Sequence, residues 1–389
     1  MKAIFHRILL VAATSSLCFS PLFPKKQTEQ TKNWDKQPMS MYIWHSCLKD
    51  SNFIKRIDFN NFDNVYLMDG QHWKSVDEFD AAIDRLNANN GETYYFTGDP
   101  MFRLAIDEAH KVGTKALCTF GNDCMYAWDD VRRPKLVKLI TDVVRNHNLD
   151  GVDIDWEIDV WLHHDKHAQL MAELRHSLDS LGDITGRDYL LTTALSVEAH
   201  FADSLQRILA DNVDWINIMS YDIGGCLWRN HATHNTALKQ IADSINSNWN
   251  QIPRHKLHLG LASYGFLYTG ILPGEVLPEG QRLDQHGTYI RYSEVVDKLY
   301  GPHPWRAEFD PVQKCYYFYN PDKKEFITID TPETIGYKFD YVVEAGLGGT
   351  FWWEYWKDII PDKQGGSKWK HMLVPDHKKI APKKAAKKK

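Results

Sequence analysis

The chain has 389 residues, 43% of them hydrophobic, and a formal net charge of −5. That is enough apolar material for one large globular domain, or for one domain carrying an inserted lobe. Apart from a Lys-rich end, charges of both signs are mixed along it, so nothing points to nucleic acid, and no stretch of the expected mature chain is apolar enough to span a membrane.

The first residues carry Lys2 and Arg7, then an apolar run from Ile8 to Phe19, then Pro21 and Pro24. This reads as a secretory signal peptide over residues 1–24, and export to the medium or the periplasm is expected. A lipid-anchored surface protein attached through Cys18 is the disfavoured alternative, because Ser15-Ser16-Leu17 lacks a small residue directly before the cysteine. Removing the signal leaves Cys47, Cys118, Cys124, Cys226 and Cys315. An odd number excludes a complete disulfide framework in a monomer, the state expected here. Cys118 and Cys124 either bridge across a loop or remain buried thiols.

Over 37–375 short β-rich runs alternate with amphipathic stretches, the pattern of βα units around a parallel sheet. Strands are predicted at 41–45, 64–68, 115–120, 151–157, 189–196, 215–221, 256–264 and 349–354. Helices are predicted at 102–111, 135–146, 166–180 and 236–248; in the third, Leu170, Met171, Leu174 and Leu178 form one apolar stripe. Eight strands are what a closed barrel needs. The rhythm breaks once, over 267–333, where strands at 287–292, 314–320 and 325–329 flank a helix at 293–300 and make a small α+β lobe. His163, His164 and His167 open a polar helix and are expected to face water, so neither a metal nor another cofactor is implied. The Lys-rich residues 376–389 read as a solvated tail.

The most informative run is Leu149-Asp150-Gly151-Val152-Asp153-Ile154-Asp155-Trp156-Glu157. Strand geometry puts Val152, Ile154 and Trp156 on one face and Asp153, Asp155 and Glu157 on the other. Several carboxyls held together in a partly dry place are forced to different pKa values, which yields a proton donor and an anion from the same functional group. An edge strand with an acidic solvent face is the competing explanation, but one acid suffices for solubility and acids are poor strand formers. In a β/α barrel the reactive groups gather at the carboxyl ends of the strands, which sets Glu157 at the mouth. Asp150 has the opposite parity and is expected to close the turn into the strand.

This D-G-x-D-x-D-x-E pattern resembles the signature of glycoside hydrolase family 18, the chitinases and related endo-β-N-acetylglucosaminidases. Further segments are similar to that family in the same order: 116–122 (ALCTFGN) to its third strand, 213–222 (VDWINIMSYD) to its sixth, 256–266 (KLHLGLASYGF) to its seventh, and 334–358 to its last helix and eighth strand. The resemblance implies a (β/α)8 TIM barrel with an α+β insertion between the seventh and eighth strands. It also implies a retaining glycosidase in which the substrate's own acetamido group is the nucleophile. Glu157 would be the proton donor and then the base. Asp155 would orient the acetamido group, Asp153 would share a proton or hydrogen bond with Asp155, and the Tyr221 hydroxyl would donate to the acetamido carbonyl.

Asp222 would lie near the same sugar with Met219 packed beneath it, and Trp353 would form the floor while Trp352 points outwards. Aromatic content of 13%, with 14 Trp, suits a carbohydrate cleft. Tyr66, Trp128, Trp161, Trp228 and Trp305 are candidates for sugar contact, with core packing as the competing role. Two departures from the family, Ile158-Asp159 for Tyr-Pro and Thr119-Phe120-Gly121-Asn122 for S-x-G-G, bear on the product side of the cleft. The expected partner is a polysaccharide or glycan containing N-acetylglucosamine: chitin or its oligomers first, then the chitobiose core of N-glycans. A non-catalytic chitin lectin is the remaining alternative.

Overall fold

The computed structural model describes residues 37–70, 72–92, 99–303, 305–360 and 368–377. The expected signal peptide and residues 378–389 of the Lys-rich tail lie outside them. Strands β1 (Met39–Trp44), β2 (Asn64–Gly70), β3 (Lys115–Phe120), β4 (Gly151–Ile154), β5 (Leu190–Ser196), β6 (Trp215–Met219) and β7 (Leu257–Ala262) belong to a barrel. The lobe follows as β8 (Tyr264–Thr269), β9 (Gly287–Arg291), β10 (Arg306–Asp310), β11 (Cys315–Asn320) and β12 (Glu325–Thr328), and β13 (Gly349–Trp353) closes the barrel in the order β1-β13-β7-β6-β5-β4-β3-β2. Every neighbouring pair is parallel. This is the expected (β/α)8 TIM barrel with an insertion.

The helices are α1 (Ser51–Arg56), α2 (Val76–Ala88), α3 (Pro100–Lys111), α4 (Arg132–Asn146), α5 (His164–Thr185), α6 (Asp203–Asn212), α7 (Leu238–Asn248), α8 (Tyr292–Tyr300) in the lobe, and α9 (Pro332–Glu344). Their ends follow local chemistry. Asp99 caps α3 by accepting the Met101 N–H ahead of Pro100, Thr331 caps α9 in the same way ahead of Pro332, and Gly186 ends α5 in the left-handed region. None of these helices is long and apolar enough to cross a membrane.

Strands covered on both faces read as continuous apolar runs, and β7 (LHLGLA) is buried at all its residues. Alternation then divides the side chains between two layers. Val152 and Ile154 join Ile43, Leu67, Ile140 and Leu174 between strands and helices. Tyr42, Tyr66, Tyr221 and Phe351 fill the lumen and continue into Tyr264, Phe266 and Tyr268 of the lobe. Gly151 is required where β4 meets β5, since a Cβ there would lie 2.1 Å from the Leu190 carbonyl oxygen.

The lobe is a five-stranded antiparallel sheet, β10-β11-β12-β8-β9, with α8 beside it. Two of its strands were not expected. The strand expected over 256–264 is largely apolar in its second half, but at Ser263 the chain leaves the barrel, and Tyr264 begins β8 inside the new sheet. β10 (RAEFD) is exposed and charged, so it shows no apolar alternation. Residues 368–377 strap back onto the barrel: Asp358 accepts the N–H groups of Leu373 and Val374, and His377 meets Asp63. The tail expected from residue 376 therefore starts with an anchored His377.

Candidate active site

β4 ends at Ile154, and one more ladder bond, from the Asp155 N–H to the Phe120 carbonyl, carries the extended chain past it. Asp153 is therefore the deepest of the three acids. Its carboxylate is the hub of the lumen, accepting from Tyr42 (2.7 Å), Thr119 (3.1 Å), Thr192 (2.5 Å) and Asn217 (3.3 Å), one residue from each of β1, β3, β5 and β6. Burial raises Asp153 to about 6 while those hydrogen bonds pull the other way. The expected hydrogen bond with Asp155 is not among these four, although the two charges interact.

Asp155 is buried, and its Oδ1 has no hydrogen-bond partner. Desolvation, then the charges of Glu157 and Asp153, push it well above the usual carboxylate range. Glu157 itself is open to solvent at the mouth, not buried. The surrounding protein nevertheless desolvates its carboxyl enough to raise it. Accessibility together with partial drying is what a group exchanging protons with a ligand requires.

Tyr221 follows the end of β6 and is buried, its ring edge-on to Tyr264 and Phe351. The absence of a side chain at Gly260 makes room for it, because a Cβ there would lie 2.9 Å from Tyr221 Cε1. The Tyr221 hydroxyl is raised by burial and by Asp155, Asp222 and Glu157. Asp222 turns in the left-handed region at φ 59°, held by the Asn235 side chain, which accepts its N–H at 2.8 Å. Burial lifts its carboxyl to about 7 against a hydrogen bond from Tyr264, and the Glu157 charge adds to the rise. Asp155, Glu157, Tyr221 and Asp222 thus form one electrostatically linked group.

Trp353 is half-buried on the lumen face, 5.5 Å from Tyr42 and 6.0 Å from Trp44 between ring centroids, whereas Trp352 is fully buried in the outer core. The Trp353 side chain also interacts with that of Tyr289 in β9, so the lobe reaches the floor of the site. Met219 is half-buried in the same lumen cluster. Tyr66 is different. It is completely buried, stacked on Tyr42 at 4.4 Å and hydrogen-bonded to Asn217 and Trp215, which leaves it no surface for a ligand. Trp128 is 45% exposed but stacks on His163, which stacks in turn on Trp156 of the outer core. It stands on the rim, outside the group around Glu157. A shallow groove between α4 and α5, lined by Val137, Thr141, Glu173 and Ser177, shares no residue with that group.

Residues 101–358 match the profile of glycosyl hydrolases family 18. The chain belongs to this family. Among curated relatives, chitinase A1 of Niallia circulans is 29% identical over 248 residues, covering 55% of this chain but only 35% of that protein. The chain thus spans about a third of that relative's length. In fold it is similar to the family 18 chitinase of Cycas revoluta solved with allosamidin, with a TM-score of 0.63 and 20% identity over 82% of this chain and 94% of that one. Chitinase ChiA74 of Bacillus thuringiensis gives a TM-score of 0.67 and 20% identity over 87% and 68%.

Several residues around the candidate site escaped sequence reasoning. Asn217, in the middle of WINIM, and Thr192 are polar residues inside buried strands, and that alone marks them as partners of something charged. Tyr264 and Tyr289 come from the lobe and carry no local signal. The structure decides between the two cysteine alternatives, corrects the placing of His167 and extends the structural role of Asp150. Cys118 and Cys124 are free buried thiols, not a bridge. His167 is fully buried on Thr193 instead of facing water. Asp150 does more than close a turn, joining His110 of α3, the Ala116 N–H of β3 and Arg187 of the loop after α5.

Proposed function

We propose that this chain is a secreted glycosidase that cleaves β-1,4 bonds of chitin or chitooligosaccharides by a retaining, substrate-assisted mechanism. The reading is carried by the bare, buried Oδ1 of Asp155 beside the accessible, partly desolvated Glu157. A buried carboxylate oxygen without a donor is costly unless a ligand supplies one, and an acetamido N–H is such a donor. Held there, the acetamido carbonyl oxygen forms a bond to the anomeric carbon as the glycosidic C–O bond breaks. Glu157 passes its proton to the departing oxygen. Asp155 offsets the positive charge of the resulting oxazolinium ion, with Asp153 behind it and Tyr221 toward the acetamido carbonyl. Water then opens the ring, giving its proton to the Glu157 carboxylate and restoring the starting stereochemistry. Trp353 supplies an apolar floor, and Asp222 and Met219 complete the surroundings of the sugar.

The substrate class is supported by the family, by the chitinase relatives and by a lobe that brings Tyr289 to Trp353. Secretion is supported by the amino-terminal sequence pattern. The test is Glu157→Gln assayed on defined chitin oligomers and, separately, on a high-mannose glycoprotein. The variant is expected to bind oligomers while losing turnover. Turnover like that of the native chain would remove Glu157 from the chemistry, and release from the glycoprotein alone would move the substrate to N-glycans.

A further inference from the structure

Asn122 stands where the family pattern has the second glycine of S-x-G-G, and its side chain does something a glycine cannot. In a parallel ladder, acceptors on one strand and donors on the next advance together in steps of two. The Phe120 carbonyl takes the Asp155 N–H at 2.8 Å, so the next rung would join the carbonyl of residue 122 to the N–H of Glu157. That backbone rung does not form, because the chain turns at Gly121 into a short 3-10 helix, Asn122–Trp128. The Asn122 Oδ1 takes the place of the missing carbonyl, accepting the Glu157 N–H at 3.0 Å and the Ile158 N–H at 2.8 Å. The neighbouring Asp123 uses its carboxylate on the other side, accepting the His72 and Trp73 N–H groups. The start of this helix therefore staples two mouth segments at once.

We propose that Asn122 is a positioning residue for Glu157: its side chain adds a surrogate rung to the β3–β4 ladder and fixes the backbone of the proton donor beyond the end of the strand. The role follows from what is otherwise missing. Glu157 is open to solvent and lies three residues past the end of β4, and the Asn122 oxygen holds its N–H in place. Local side-chain-to-backbone bonds of this kind replace regular secondary structure where the ladder stops. The inference rests on Glu157 being the proton donor.

The experiment compares Asn122→Ala and Asn122→Asp with Glu157→Gln in the full chain, measuring kcat, KM, the pH profile and urea unfolding on the N-acetylglucosamine oligomer that the native chain hydrolyses. Asn122→Ala is expected to lose about 10- to 100-fold in kcat, the scale for a misplaced reactive group, with KM held within about 3-fold. Asn122→Asp keeps an oxygen for both N–H groups and should recover most of that loss. Its new negative charge should also raise Glu157 and move the basic limb of kcat/KM upward by about half a pH unit or more. Native kcat in Asn122→Ala while Glu157→Gln is inactive would overturn the positioning role alone. So would a loss that Asp does not restore and that follows unfolding stability. An active Glu157→Gln, or a native chain inert on every such oligomer, would instead sink the assignment of Glu157 and the inference with it.

Discussion

Asp153 and Asp155 stand two residues apart on the same face of one extended segment, and the barrel treats their carboxylates in opposite ways. Asp153 receives four hydrogen bonds from four strands, while Asp155 keeps a buried oxygen with none. The first is paired by the fold. The second lacks such pairing at Oδ1, which is where the proposed acetamido contact would form.

The two should therefore separate stability from activity. Asp153→Asn places an N–H2 group among four donors and is expected to cost about 1–3 kcal/mol of unfolding free energy, the scale for a buried polar group left unsatisfied. Asp155→Asn removes a poorly solvated charge beside Glu157, so its stability should be equal to or above that of the native chain. Its kcat should nevertheless fall about 100-fold or more, as when one electrostatic partner of a transition state is deleted. Urea unfolding alongside steady-state kinetics reads both. Equal destabilisation by the two substitutions would mean that Asp155 is satisfied within the fold after all.

The alternation of D-G-x-D-x-D-x-E was enough to place Asp153 inside and Val152 outside, because a strand's parity is a local property. The other barrel strands were visible because they are buried and largely apolar runs. The donors to Asp153 were not visible, because Tyr42, Thr119, Thr192 and Asn217 meet only when the barrel closes and their separations in sequence carry no period. Tyr66 was misjudged on the same ground. An aromatic residue on a strand is a lumen plug or a sugar platform according to its depth, and depth depends on the barrel's shear rather than on neighbouring residues. The junction at Ser263 was hidden because barrel and lobe strands are both apolar there.

Glycine 260 supplies a purely steric test. A methyl group at this position would meet Phe351 Cζ at 2.7 Å, the Ile218 carbonyl oxygen at 2.8 Å and Tyr221 Cε1 at 2.9 Å. Gly260→Ala should push Tyr221 away from Asp155 and Glu157 and lower kcat, with about 1–3 kcal/mol of overpacking cost. The double variant Gly260→Ala/Tyr221→Phe should lose little more activity than Tyr221→Phe alone. Additive losses would mean that the methyl group acts by another route.

The pH profile should report the coupling between Glu157 and Asp222. Each negative charge makes the other carboxyl harder to ionise, and the Asp222 carboxyl is lifted to about 7, first by burial and further by this charge. Asp222→Asn removes a negative neighbour, so Glu157 should ionise more readily and lose its proton at lower pH. In the proposed mechanism Glu157 is protonated for bond cleavage, so the basic limb of kcat/KM should move toward acid. A limb that stays fixed or moves upward would show that the two groups do not titrate together.

Acid stability offers a test away from the chemistry. His167 is fully buried with its Nε2 on Thr193, and desolvation lowers it from 6.5 to about 3. Between those values the unfolded chain binds a proton that the folded chain refuses, so the contribution of His167 to stability is lost as pH falls from about 6.5 toward 3. Asp153 acts in the opposite sense. Raised from 3.8 to about 6, it holds its proton more tightly when folded, and its contribution is lost as pH rises through that window. Replacing His167 with Gln, which can still bond Thr193, should therefore flatten the acid limb by up to about 1.4 kcal/mol per pH unit. Urea unfolding at pH 7, 5.5 and 4.5 measures the slope. Parallel limbs for variant and native chain would mean that His167 takes up its proton without leaving the folded state.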